Sequence, residues 1–148
     1  MADRSMTVPA AREEPATRTM PSRLEAVAEG LEFVRACAAR FHASVRCVYN
    51  AELVFEEIFT NIVRHAHGGG TGQPIVVRLT SDGKDLLVEF EDDGPEFDPT
   101  RVAAPVAPGS IEEAKVGGLG IALVCKVASA MRYARRADRN ALAISLPL

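Results

Sequence analysis

Three short patches carry side chains able to do chemistry. Glu57, Asn61 and His65 recur at every fourth position, so on a helix their side chains climb one face beside the apolar stripe, a natural wall for a site. Taken alone, the same row reads equally well as a solvated face with a Glu-to-His pair at helical spacing. The run Glu91-Asp92-Asp93-Gly94-Pro95-Glu96-Phe97-Asp98-Pro99 follows a strand pattern. A carboxylate at a strand end can accept a hydrogen bond from a ligand amine, and Gly94 lets a ligand approach the backbone. An ordinary acidic turn would use the same residues. The third patch, Gly117-Gly118-Leu119-Gly120, sits at the mouth of a helix, where free backbone amides and the helix dipole attract phosphate. Close packing alone also selects glycine there.

The elements that must position these patches follow from apolar periodicity. Residues Met1 to about Met20 lack it and read as a flexible tail, with a short edge strand near Arg18 to Met20. The remainder, 21–148, reads as one domain. Ser22 is a candidate cap for a first helix whose Leu24, Val27, Leu31, Val34, Ala38 and Phe41 share a side. That face serves either core packing or a homodimer contact. After a break at His42 to Ser44, a second helix is expected from Val45 to Ala66, with Ile58, Phe59, Ile62, Val63 and Ala66 as its apolar stripe and Gly68-Gly69-Gly70 as its stop. Ile75 to Thr80 and Leu86 to Glu91 alternate and flank an Asp-Gly turn signal, which predicts an antiparallel hairpin. Residues from Pro95 to Val116 form a long aperiodic loop. A helix from Gly118 to Ala130 and strands at Met131 to Arg135 and Ala141 to Leu146 complete an α/β architecture, a sheet layered against helices.

Composition removes whole classes of function. With 148 residues, 47% apolar, 25% charged and a formal charge of −3, the chain has the make-up of one folded domain and no broad basic face for nucleic acid. Arg132, Arg135, Arg136 and Arg139 form the one basic cluster and read as a solvated turn. Cys37, Cys47 and Cys125 lack metal or disulfide spacing, which suits a reducing cytoplasm. No stretch approaches the roughly 20 apolar residues of a membrane helix, and no export signal opens the sequence.

The order of the patches adds what each lacks alone. Glu57-x-x-x-Asn61-x-x-x-His65-Ala66, then Asp92-x-Gly94 with Phe97-Asp98-Pro99, then Gly117-Gly118-Leu119-Gly120, resembles the GHKL superfamily of ATPases. Within it the pattern is similar to the bacterial anti-sigma-factor serine kinases, from about Ser22 to Leu148. The resemblance implies a Bergerat-type two-layer α/β sandwich, a mixed and mostly antiparallel sheet covered by helices on one face. It also implies ATP and Mg²⁺ as cofactors. Asn61 would hold the cation, Glu57 would act as general base toward a serine hydroxyl, and Asp92 would recognise the adenine amino group. Gly94 and Phe97 would shape the adenine pocket, and Gly117, Gly118, Leu119 and Gly120 would cradle phosphates. The loop from Arg101 to Val116 resembles a nucleotide lid from which Lys115 could reach phosphate, and His65 would border the site or orient the helix end.

Two positions depart from the superfamily pattern. Glu96 stands where many members carry a second glycine, and Ala143 stands where relatives commonly place a threonine that supports adenine recognition, with Ser145 two residues on. The resemblance implies an anti-sigma factor that phosphorylates a STAS-type antagonist and switches between that protein and a sigma factor. A non-catalytic ATP-binding module and a histidine-kinase-type catalytic domain are the alternatives.

Overall fold

The computed structural model describes residues 13–101 and 118–148. Strand β1 (Ala16–Pro21) leads through a 3-10 turn at Leu24–Ala26 into helix α1 (Val27–Arg40), followed by α2 (Val45–Asn61) and a single π turn at Ile62–Ala66. Strands β2 (Pro74–Ser81) and β3 (Asp85–Asp92), a short 3-10 turn at Pro99–Arg101, helix α3 (Gly118–Val127), and strands β4 (Ala130–Arg136) and β5 (Arg139–Pro147) complete the chain. The strands form one sheet in the order β1-β2-β3-β5-β4. Every pair in it is antiparallel. This is the two-layer α/β sandwich the sequence leads one to expect, with the edge strand near Arg18 to Met20 realised as β1, but the sheet of the described residues is antiparallel throughout and not mixed.

Alternation along the strands decides which face the helices cover. Ile75, Val77 and Leu79 of β2, Leu86, Val88 and Phe90 of β3, and Leu142, Ile144 and Leu146 of β5 are all buried. Their neighbours Arg78, Glu89 and Ala143 point to the other face, as a period of two requires. Helix α2 supplies the matching stripe through Ala51, Val54, Phe55, Ile58 and Phe59. Its Phe55 ring stacks on Phe59 at 5.1 Å and on Phe90 of β3 at 6.2 Å between centroids. Full burial of each such ring contributes on the order of 2 kcal/mol, so α2 is tied firmly to the middle of the sheet. The apolar face of α1, with Val34, Cys37 and Ala38, enters the same core.

Local chemistry sets several boundaries. Ser44 caps α2, its Oγ accepting from the Cys47 amide at 3.1 Å. Ser22, expected to cap α1, does not: the residue before the 3-10 turn is Arg23, without a side-chain cap. Ser22 instead joins its backbone to the loop before β2, donating to Gln73 O at 2.7 Å and accepting from Gly72 N at 3.3 Å, while its hydroxyl is buried without a partner among the described residues. Tertiary docking has overridden a local capping signal. In the β2–β3 turn, Asp82 Oδ1 accepts from Lys84 N at 2.9 Å and Asp85 N at 2.7 Å. Those amides, Asp85 first, hold its carboxyl below the usual carboxylate range.

All three cysteines are free, Cys37 and Cys47 buried and Cys125 exposed. Burial pushes the Cys37 and Cys47 thiols up. Among the described residues, no helix is long and apolar enough to cross a membrane.

Candidate functional site

The expected second helix runs to Ala66, but its last turn is not α-helical. His67 N donates to Ile62 O at 3.1 Å and Gly69 N to Val63 O at 2.9 Å, so the ladder widens to a π turn and closes on the glycine run. Such single turns are frequent at functional sites. This one bears on the fourfold spacing of Glu57, Asn61 and His65. Asn61 is the last α-helical residue, and His65 lies within the wider turn.

Asn61 and His65 line one cavity of about 240 Å³ together with Asp92, Glu96 and Phe97 of the loop after β3. Its apolar walls are Ile58, Ile62, Phe90, Pro99 and Leu142, and Tyr133 and Asn140 add polar groups. Largely apolar walls with a few fixed polar atoms are what a small-molecule pocket offers. Glu57 takes a different place, one turn earlier on α2 and against the start of α3. A Cβ built on Gly120 would lie 2.2 Å from Glu57 Oε2 and 3.1 Å from its Cδ. The row of three polar residues is thus shared between a cavity and a helix mouth.

Asp92 is 5% exposed, and its Oδ1 accepts from Gly94 N at 2.8 Å and Asn140 Nδ2 at 3.0 Å. Among the described residues no protein donor reaches Oδ2, so one carboxylate oxygen is committed to its neighbours while the residue lines the cavity. Gly94 is required by space. A Cβ there would meet Ala66 Cβ at 2.5 Å and Ala66 Cα at 3.2 Å, so the loop is pressed against the π turn at this residue. A second tie reinforces that approach, His67 Nε2 bonding Asp93 Oδ1 at 2.8 Å. His67 is buried at 4% exposure, whereas His65 is exposed.

Sequence reasoning passed over Asn140, Tyr133, Arg135 and His67. Asn140 is placed by register, since β3 and β5 pair Asp92 directly with Asn140. Ala143, read as the position of a family threonine, pairs instead with Glu89 on the open face of the sheet. The β5 positions that line the pocket are Asn140 and Leu142; Asn140 is three residues before Ala143, and a slip of an odd number of residues exchanges the faces of a strand. The arginine cluster is likewise more than a solvated turn. Ala137 and Asp138, both at positive φ, form the two-residue β4–β5 connection, yet Arg135 Nη1 donates to Gly94 O at 2.8 Å and Arg139 pairs with Glu91. Its concentration of arginines beside a strand end was the available signal. Lys115, Gly117 and most of the expected lid lie outside the described residues, while Gly118, Leu119 and Gly120 open α3.

A buried strand-end carboxylate, an amide-bearing helix lining the same cavity and a glycine-opened helix across from a glutamate are thus brought together in one α/β sandwich. Residues 20–146 match the family model of the histidine kinase-like ATPase domain. The chain belongs to that family. The match spans strands β2 to β4, nearly all of β5 and the three helices, and it bears out the GHKL resemblance; an ATPase domain implies ATP binding. A serine/threonine-protein kinase, BtrW, of Bordetella bronchiseptica is 28% identical to this family member over 117 residues, 79% of this chain and 82% of the relative.

Proposed function

We propose that the chain is an ATP-dependent protein serine kinase of the anti-sigma-factor type, working in the cytoplasm. It phosphorylates a STAS-type antagonist and, by partner switching, controls a sigma factor. The observation that carries this reading is the single cavity shared by Asn61 and Asp92, with Glu57 one helical turn away against Gly120. The relative's name as a serine/threonine-protein kinase supports a hydroxyl as the acceptor.

The residues fit the ligand. At about 240 Å³ the cavity suits a heterocyclic base rather than a whole nucleotide, and Asp92 Oδ2 is an acceptor for the adenine amine. The phosphates then extend along α2 toward Gly118 and Gly120, where the start of a ten-residue helix offers amides and a favourable dipole. Among the described residues, no cluster of three or more His, Cys, Asp or Glu could hold a metal by itself. Mg²⁺ needs no such cage, because it is commonly held by one or two protein oxygens, phosphates and water. Asn61 supplies an amide oxygen of that kind. Bound Mg²⁺ would neutralise charge on the β- and γ-phosphates.

Glu57 would take the proton from the substrate serine hydroxyl as that oxygen bonds to the γ-phosphorus. The bond from the γ-phosphorus to the β–γ bridging oxygen breaks, and ADP leaves. His65 and Phe97, both exposed, line the cavity. Glu96 lines the same cavity.

The test is transfer from γ-labelled ATP and Mg²⁺ to an antagonist protein. Labelled antagonist carrying acid-stable phosphate is expected, and Glu57→Ala should abolish the label while ATP is still bound. An unlabelled antagonist would make the chain a binding module, and an acid-labile product would make it a histidine-kinase-type catalyst. Transfer that survives Glu57→Ala would remove Glu57 as the base.

A further inference from the structure

The best-connected polar side chain outside the expected motif belongs to Asn140, at the start of β5. It is 6% exposed and directly opposite Asp92. Its Nδ2 donates to Asp92 Oδ1 at 3.0 Å, to Pro95 O at 3.0 Å and to Gly94 O at 3.3 Å. Its Oδ1 accepts from Tyr133 OH at 2.6 Å, from Arg135 Nη1 at 3.1 Å and from Phe97 N at 3.3 Å.

The two ends of an asparagine amide are ordinarily hard to tell apart, but here the partners decide. Carbonyl oxygens can only accept, and a guanidinium or backbone N–H can only donate. Turning the amide over would set its oxygen against two carbonyls and a carboxylate, and its NH₂ against Arg135 and Phe97. Asn140 therefore has one orientation. That orientation occupies Asp92 Oδ1, together with the Gly94 amide, and leaves Oδ2 without a protein donor among the described residues.

We propose that Asn140 is a positioning residue for base selectivity: locked by Tyr133 and Arg135, it aims the Asp92 carboxylate at an exocyclic amine on the bound purine. The inference rests on the reading of the cavity as the adenine site. A base with a 6-amino group donates to Oδ2. A 6-oxo base presents a second acceptor there and is repelled, and a base bearing only hydrogen at that position forgoes the bond. Without Asn140, Asp92 retains only the Gly94 amide and is free to turn, so the amine ceases to be read.

The experiment is calorimetric titration of the full chain with ATP and with purine riboside triphosphate, which lacks the 6-amino group. The wild type is expected to prefer ATP by about tenfold or more, the range of a hydrogen bond to a charged group. In Asn140→Ala, ATP affinity should fall by about tenfold and the preference should collapse toward unity, because the lost term is the aimed bond. Equal weakening of both nucleotides, with the preference intact, would mean that Asn140 only shapes the loop and would overturn the proposal. Should Asn140→Ala fail to fold, Tyr133→Phe removes one donor from Oδ1 and should lower the preference several-fold, and an unchanged preference would refute the lock. A wild type that binds neither nucleotide would overturn the adenine reading itself, an outcome distinct from a wild type that prefers ATP beside a variant that still does.

Discussion

Gly120→Ala offers a sharp test of whether Glu57 does chemistry. The new methyl carbon would be built 2.2 Å from Glu57 Oε2, far inside ordinary contact, so the carboxylate must retreat by about 1 Å while the backbone of α3 stays in place. The displaced atoms are the far end of a flexible side chain, so the fold should be spared, and alanine is a better helix former than glycine. A general base gives no such latitude. A displacement of about 1 Å from productive geometry can lower turnover by roughly a hundredfold. If Glu57 only borders the helix mouth, the same displacement should leave turnover alone. The assay is phosphate transfer from ATP at saturating nucleotide, with calorimetric ATP affinity and thermal melting measured on the same protein. Turnover reduced by roughly a hundredfold, with ATP affinity held within about threefold, is the expected pattern. Weakened ATP binding with normal turnover would refute the reasoning, because Gly120 would then serve phosphate approach alone and the contact with Glu57 would be incidental.

Asp92→Asn should separate binding from folding. The amide oxygen can still accept from Gly94 and Asn140, but an NH₂ would face the ligand amine, so ATP affinity should fall about ten- to a hundredfold with a melting temperature within about 4 °C of wild type. Unchanged affinity by calorimetry would take Asp92 out of the site. Asp82→Asn addresses the β2–β3 turn, where backbone amides depress the carboxyl's folded pKa. A depressed folded value stabilises above the ordinary carboxylate pKa and is lost as pH falls through that lower value. The melting advantage of wild type over Asp82→Asn should thus shrink between neutral pH and about pH 2. A difference independent of pH would show that the turn does not depend on that charge.

Much of this protein is legible from local pattern. The stripe of α2, the alternation of β2, β3 and β5, and the Asp-Gly turn at Asp82 are each decided by neighbours within a few residues, and they emerge where periodicity places them. The patches at Glu57, Asn61, Asp92 and Gly118 to Gly120 are legible for the same reason, since each is a short run on one element. What failed was reasoning across elements. Ser22 resembles a cap, yet the loop at Gly72 and Gln73 claims its backbone. The arginines near 135 resemble a solvated turn, yet Arg135 closes over Gly94. Ala143 took the place of Asn140 in the reading of β5 because strand register depends on the partner strand, and nothing within β5 alone states which residue will face Asp92.

Residue types and their spacing were enough for the α/β class and for singling out the three patches, because helix and strand periods are properties of a single segment. Only the folded chain could decide that Asn61 and Asp92 share a cavity, that Glu57 abuts Gly120 and that Asn140 orients the buried carboxylate. Those relations join segments far apart along the chain, and their distances are set by core packing and strand pairing.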